Sequence, residues 1–129
     1  MMLLNTEIDV LVVDDMADAA ESLALLLEGD GYRVRIALSG QEAVEALSNY
    51  QPSCVLLDFQ MPGMDGLELA RHIRAKFADD VILIACTGMP ESNERVAEAF
   101  AVVDHYFMKP IPPAELRKIF PPKTPPLEP

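Results

Sequence analysis

Five polar residues stand out by type and by position. Asp14 and Asp15 are adjacent, and Asp58, Thr87 and Lys109 follow singly, each at the end of a short apolar run. Carboxylates brought close together repel one another, which raises their pKa values and costs stability. A hard divalent cation resolves that conflict. Magnesium prefers oxygen ligands, keeps several waters, and is typically held by one or two carboxylates plus phosphate oxygens. One carboxylate can also act as a nucleophile and form an aspartyl phosphate. A lysine and a hydroxyl nearby can bind the other oxygens of the transferring group. Phosphoryl transfer needs little beyond such positioning and charge stabilisation.

This chemistry requires that the five residues meet, so the elements carrying them decide the matter. Ile8 to Val13 reads as a buried strand ending in Asp14-Asp15, and a helical pattern follows from about Ala17 to Glu28, stopped by Gly29 and Gly31. Tyr32 to Ala37 alternates as a half-exposed strand, with Tyr32, Val34 and Ile36 on one side. Ser39-Gly40-Gln41-Glu42 is a capping box that opens a second helix through Val44 and Leu47. Cys54 to Leu57 is a third strand ending in Asp58, and Asp65 caps a third helix. Val81 to Cys86 is a fourth strand ending in Thr87, and Pro90 starts a fourth helix to about Phe100. His105 to Met108 is a short fifth strand ending in Lys109, and Pro112-Pro113 opens a short last helix to about Phe120.

Strict alternation of strand and helix predicts the α/β class: a single doubly wound five-stranded parallel sheet with helices on both faces. Ligands of such sheets bind beyond the carboxyl ends of the strands. Topology therefore brings Asp14, Asp15, Asp58, Thr87 and Lys109 to one edge. Taken singly, each has a plainer reading. Asp14 or Asp15 caps the first helix, Asp58 and Thr87 are turn residues, and Lys109 is a solvated surface group. The joint pattern carries the argument, because chance rarely sets a suitable residue at four of five strand ends.

The 129 residues suit one domain, and half of them are apolar, enough for a core. A formal net charge of -11 argues against nucleic acid as a direct partner and for cations or basic protein surfaces. Nothing reads as a signal peptide, and no apolar run is long enough for membrane insertion, so a cytoplasmic location is expected. Cys54 and Cys86 are too few for a disulfide framework and read as small buried hydrophobes. Residues 1–120 are expected to form the domain, and residues 121–129 a proline-rich tail in polyproline II or without order.

From about Asp9 to Phe120 the sequence resembles the receiver domain of two-component response regulators, of the stand-alone or hybrid-kinase type. The residues that carry the likeness are Leu11-Val12-Val13-Asp14-Asp15, the run from Val55 to Gly66, Ala85-Cys86-Thr87-Gly88, and Tyr106-Phe107-Met108-Lys109-Pro110. The resemblance implies the flavodoxin-like strand order 2-1-3-4-5. It implies a switch phosphorylated on Asp58 by a histidine kinase or a histidine phosphotransfer protein, with Mg2+ as cofactor. Asp14, Asp15, Asp58 and the backbone carbonyl of Gln60 would hold the metal. Lys109 would pair with Asp58 and then with the phosphoryl group, across a bond to Pro110 that is usually cis in this family. Thr87 and Tyr106 would form the switch, read by a downstream protein on the face from Pro90 to Phe120. Gln60 and Met89 occupy the positions that tune hydrolysis in this family. Gly88 stands where the family prefers a small residue.

Three other readings compete. A magnesium-dependent phosphohydrolase with its nucleophile on the first strand needs a second Asp two residues on, where Met16 stands. A flavodoxin-type flavin carrier needs hydroxyls and backbone donors in its first loop, where two aspartates would repel a phosphate. A receiver-like interaction module working without phosphorylation usually lacks part of the site, whereas all five residues are present here. The short last helix departs from the family pattern and speaks against a dimer built on the fourth- and fifth-helix face. His105 has no metal-ligand partner at useful spacing.

Overall fold

A computed structural model describes residues 8–59, 66–87, 98, 101–109 and 111–119. The strands are β1 (Asp9–Val13), β2 (Arg33–Ala37), β3 (Cys54–Asp58), β4 (Ile82–Thr87) and β5 (His105–Met108). The helices are α1 (Ala17–Gly29), α2 (Gly40–Leu47), α3 (Gly66–Phe77) with a 3-10 turn at Ala78–Asp80, and α4 (Pro113–Ile119). The helix expected from Pro90 lies outside the described residues, except that Glu98 is helical. The proposed cap Asp65 and the proline-rich tail also lie outside them.

The five strands form one sheet in the order β2-β1-β3-β4-β5, and every pairing is parallel. Residues 10–13 of β1 and all of β3 are buried. Strands covered on both faces read as unbroken apolar runs, because alternate side chains all meet a core. The pleat sorts those side chains into two cores. Leu11, Val13, Val55, Leu57, Leu83 and Ala85 face Leu47, Leu69 and Ile73 of α2 and α3. Val10, Val12, Leu56 and Ile84 face Ala20 and Leu27 of α1 and Leu116 of α4.

Local chemistry sets the helix ends. Ser39 Oγ accepts from the Glu42 N–H at 3.0 Å, which is one half of the expected capping box. The Glu42 carboxylate, however, accepts from the Leu38 N–H at 2.9 Å, one residue before the cap. Gly29 stays helical, and the break falls at Gly31, whose φ of 100° suits a residue without a Cβ. Tyr32, just before β2, and Val34 on it do pack in the α1-side core, but Ile36 on this edge strand is 38% exposed.

One close approach bears directly on the site. A Cβ on Gly66 would lie 2.7 Å from Phe59 Cα and would also overlap the Phe59 ring. Only glycine lets α3 start against the backbone that follows Asp58. The Phe59 N–H in turn donates to the Cys86 carbonyl at 3.1 Å, tying that backbone to β4.

Candidate functional site

Asp14 follows the last residue of β1. Its N–H donates to the Ala37 carbonyl at 3.1 Å, extending the pairing with β2 by one step. Its Oδ1 accepts from the Met16 N–H at 3.0 Å, folding the chain toward α1. Met16 is the N-cap of α1 and makes no side-chain capping bond. Neither aspartate therefore caps the helix in the usual sense, and Asp14 is left with a second oxygen facing the strand ends.

Asp58 is the last residue of β3 and is 5% exposed. Lys109, one residue past β5, reaches across the end of β4 to both carboxylates. Its Nζ donates to Asp14 Oδ2 at 3.0 Å and to Asp58 Oδ2 at 3.2 Å. Asp15 is exposed, and carboxylate oxygens of Asp14, Asp15 and Asp58 all lie within 4.8 Å of one another. These are hard oxygen donors in a cluster that could bind a metal. Burial alone would lower the pKa of Lys109, but its bond to Asp14 and the charges of Asp58 and Asp14 outweigh that and raise it.

The other expected residues divide into two groups. Thr87 ends β4, so its backbone stands at the same edge, while its side chain lies outside the description. Gln60, Gly88, Met89 and Pro110 also fall outside the described residues. Tyr106 is half-buried in the middle of β5, opposite Ala85, and packs with Val102 and Val103 on the α3-side core. His105 is exposed. Cys54 and Cys86 are buried free thiols, and burial pushes the Cys86 thiol up to about 12. Among the described residues, no helix is long and apolar enough to cross a membrane.

Two features escape sequence reasoning. The bond from Lys109 to Asp14 joins residues 95 positions apart on non-adjacent strands. A cavity of about 500 Å³ also opens between α1 and the sheet, beside Asp14, Asp58 and Lys109. No periodic pattern signals a void, because it arises from side-chain sizes on several elements at once.

The family described as Response regulator receiver domain matches residues 10–120. Response regulator MprA of Mycobacterium sp. (strain KMS) is 40% identical over 107 residues, covering 83% of this chain and 46% of that protein. DNA-binding response regulator MtrA of Mycolicibacterium paratuberculosis is 35% identical over 107 residues, covering 83% of this chain and 47% of that protein. The crystal structure of a response regulator receiver domain protein (CheY-like) from Methanospirillum hungatei JF-1 superposes with a TM-score of 0.81 at 30% identity, covering 88% of this chain and 90% of that one. The chain thus spans about half the length of the MprA and MtrA relatives it matches.

These relatives correct one expectation. Nucleic acid was excluded as a direct partner from the net charge of -11, yet MtrA is described as DNA-binding. The physical reason is that net charge reports only on the residues counted. An acidic stretch that matches half of a relative is compatible with DNA binding by that relative. From the sheet order, the acidic cluster and these likenesses together, the chain belongs to the response regulator receiver domain family.

Proposed function

We propose that residues 1–120 act as a phosphorylation-activated switch, with Asp58 as the phosphoacceptor and residues 121–129 as a proline-rich tail. The observation that carries this reading is the double contact of Lys109 Nζ with Asp14 and Asp58, 3.0 and 3.2 Å away, inside the acidic cluster. A histidine kinase or a histidine phosphotransfer protein supplies the phosphoryl group. A carboxylate oxygen of Asp58 attacks phosphorus, and the bond from phosphorus to the donor nitrogen breaks, its electron pair leaving with the imidazole. Lys109 is already within reach of the oxygens that gain charge, so little reorganisation is needed.

Asp14, Asp15, Asp58 and the Gln60 carbonyl would hold Mg2+, which when bound offsets the charge of the transferring group. Afterwards the acyl phosphate carries roughly -1.5 to -2 charges in place of the single carboxylate charge of Asp58, with three strong acceptor oxygens at the sheet edge. The Thr87 hydroxyl then turns toward the new oxygens and Tyr106 shifts into the space it leaves, biasing the surface around β5 between two arrangements. The half-buried position of Tyr106 supports this, since its ring packs on the α3-side core while part of the residue reaches the surface.

The test is intact-mass measurement after incubation with Mg2+ and acetyl phosphate, beside an Asp58→Asn variant. A gain of about one phosphoryl group (~80 Da) in the wild type alone, abolished by chelation, is the expected result. No gain, together with no Mg2+ binding, would favour an interaction module that works unphosphorylated.

A further inference from the structure

The cavity beside the acidic cluster is larger than phosphorylation requires. Its volume of about 500 Å³ falls within the range of small-molecule sites. Val12 and Leu56 form its floor, and Leu23 and Leu26 of α1 with Ile111 form its walls. These five belong to or pack against the α1-side core, so the body of the space is apolar. Its polar end holds Asp14 and Asp58, whose side chains are only 9% and 6% exposed, with Lys109 between them. Carboxylates outnumber the ammonium there, and Asp15 adds a further one within 4.8 Å.

An apolar chamber that ends in excess negative charge selects by both properties. We propose that this cavity binds an amphiphilic organic cation, an arylalkyl or alkyl amine. Its apolar body lies between α1 and the sheet, and its ammonium sits at Asp14 and Asp58. The apolar part leaves water for the walls. The head forms charge-assisted hydrogen bonds with carboxylates that are already desolvated. Such a cation occupies the position that a metal ion would share, so it competes with the metal and slows phosphorylation of Asp58. Binding rests on the cavity alone, whereas this last consequence rests on the phosphoacceptor reading above.

The test titrates the full chain with phenylbutylamine, phenylbutanol and phenylbutyrate, followed by NMR. Ser22 is an exposed α1 residue at the cavity wall, so Ser22→Trp fills the space without replacing a core residue. Roughly tenfold tighter binding of the amine than of the alcohol, weaker binding still of the acid, and a tenfold loss in Ser22→Trp support the proposal. Equal binding of all three probes would overturn it, because the carboxylates would then not select the head. No saturable binding of the amine up to about 10 mM would overturn it too. Acetyl phosphate labelling of the amine-free protein with Mg2+ separates the two readings, and slower labelling once the amine is added checks the competition. Labelling without amine binding removes only the cavity proposal, and amine binding without labelling removes only the phosphoacceptor reading.

Discussion

Lys109 Nζ lies closer to Asp14 Oδ2, at 3.0 Å, than to Asp58 Oδ2, at 3.2 Å. The ammonium therefore holds together two buried carboxylates that would otherwise repel each other. Lys109→Met should destabilise the metal-free protein by about 1–2 kcal/mol, less than a fully buried pair would cost because the lysine is partly solvated. Millimolar Mg2+ should restore more stability to this variant than to the wild type, since binding to the folded state stabilises it. Urea unfolding checks both points, and an unchanged midpoint for the metal-free variant would refute the bridging role. The raised pKa of Lys109 means that its contribution is complete below the ordinary value of 10.5 and is lost only as pH rises through the higher folded-state value. Neutral buffer is therefore the right condition.

Gly66 is the residue whose replacement should disturb Asp58 from outside the cluster. A Cβ there meets Phe59 Cα at 2.7 Å, and backbone cannot swing aside as a flexible side chain can. Gly66→Ala should cost about 1–3 kcal/mol, as overpacking does. It should also slow acetyl phosphate labelling, because Phe59 directly follows Asp58. A variant as stable and as fast as the wild type would show that α3 shifts freely.

The short helix α4 docks on the α1-side core through Leu116 and the partly buried Ile119. Leu116 is 1% exposed in the α1-side core, while Arg117 binds Asp30 at the end of α1 with its Nε at 3.0 Å. Leu116→Ala should cost about 2–4 kcal/mol, and Arg117→Ala much less, since exposed ion pairs contribute little. Denaturation of both variants tests the ranking. A larger loss for Arg117→Ala would reverse the argument.

A long-lived phosphoryl group is expected from Met89. The resemblance sets Gln60 and Met89 at the positions that tune hydrolysis, and a thioether is too weak an acceptor to orient an attacking water. The lifetime of the acyl phosphate, followed by loss of the added mass after donor removal, should far exceed that of fast chemotaxis-type regulators. Decay within seconds would contradict this.

The sheet and the site edge were legible because strands buried on both faces leave unbroken apolar runs. Residues 10–13 and 54–57 are such runs, and each stops at an aspartate. Partner choice across the sheet was not legible. Lys109 was paired with Asp58 alone, and its shorter bond to Asp14 depends on how a long side chain crosses β4. The reach of Glu42 to Leu38 and the exposure of Ile36 likewise follow from packing, which local patterns do not encode. Net charge misled most about nucleic acid, since it sums over residues without regard to the longer proteins in which such domains occur.

Acid should loosen the chain at the opposite end of β5 from Lys109. Asp104 Oδ2 accepts from the Leu83 N–H at 2.8 Å and from Arg74 Nη2 at 2.6 Å. The same guanidinium donates to the carbonyls of Val102, Val81 and Ala78, so it fastens α3, the 3-10 turn, the start of β4 and the approach to β5. Ala78 sits at a φ of 53°, a conformation disfavoured for alanine that this bond helps to hold. Burial raises the pKa of Asp104, but the Leu83 bond and Arg74 outweigh it and keep the carboxyl below its ordinary 3.8. A lowered folded-state pKa contributes stability above the unfolded value, which is lost as pH falls through the folded value. Because the carboxylate is 43% exposed, solvent screens the ion pair, and Asp104→Asn should cost only about 1 kcal/mol at neutral pH. Urea midpoints of wild type and variant should converge as pH drops below 3.8. A gap of constant size from neutral to acid would mean that the Asp104 charge plays no part in holding these segments together.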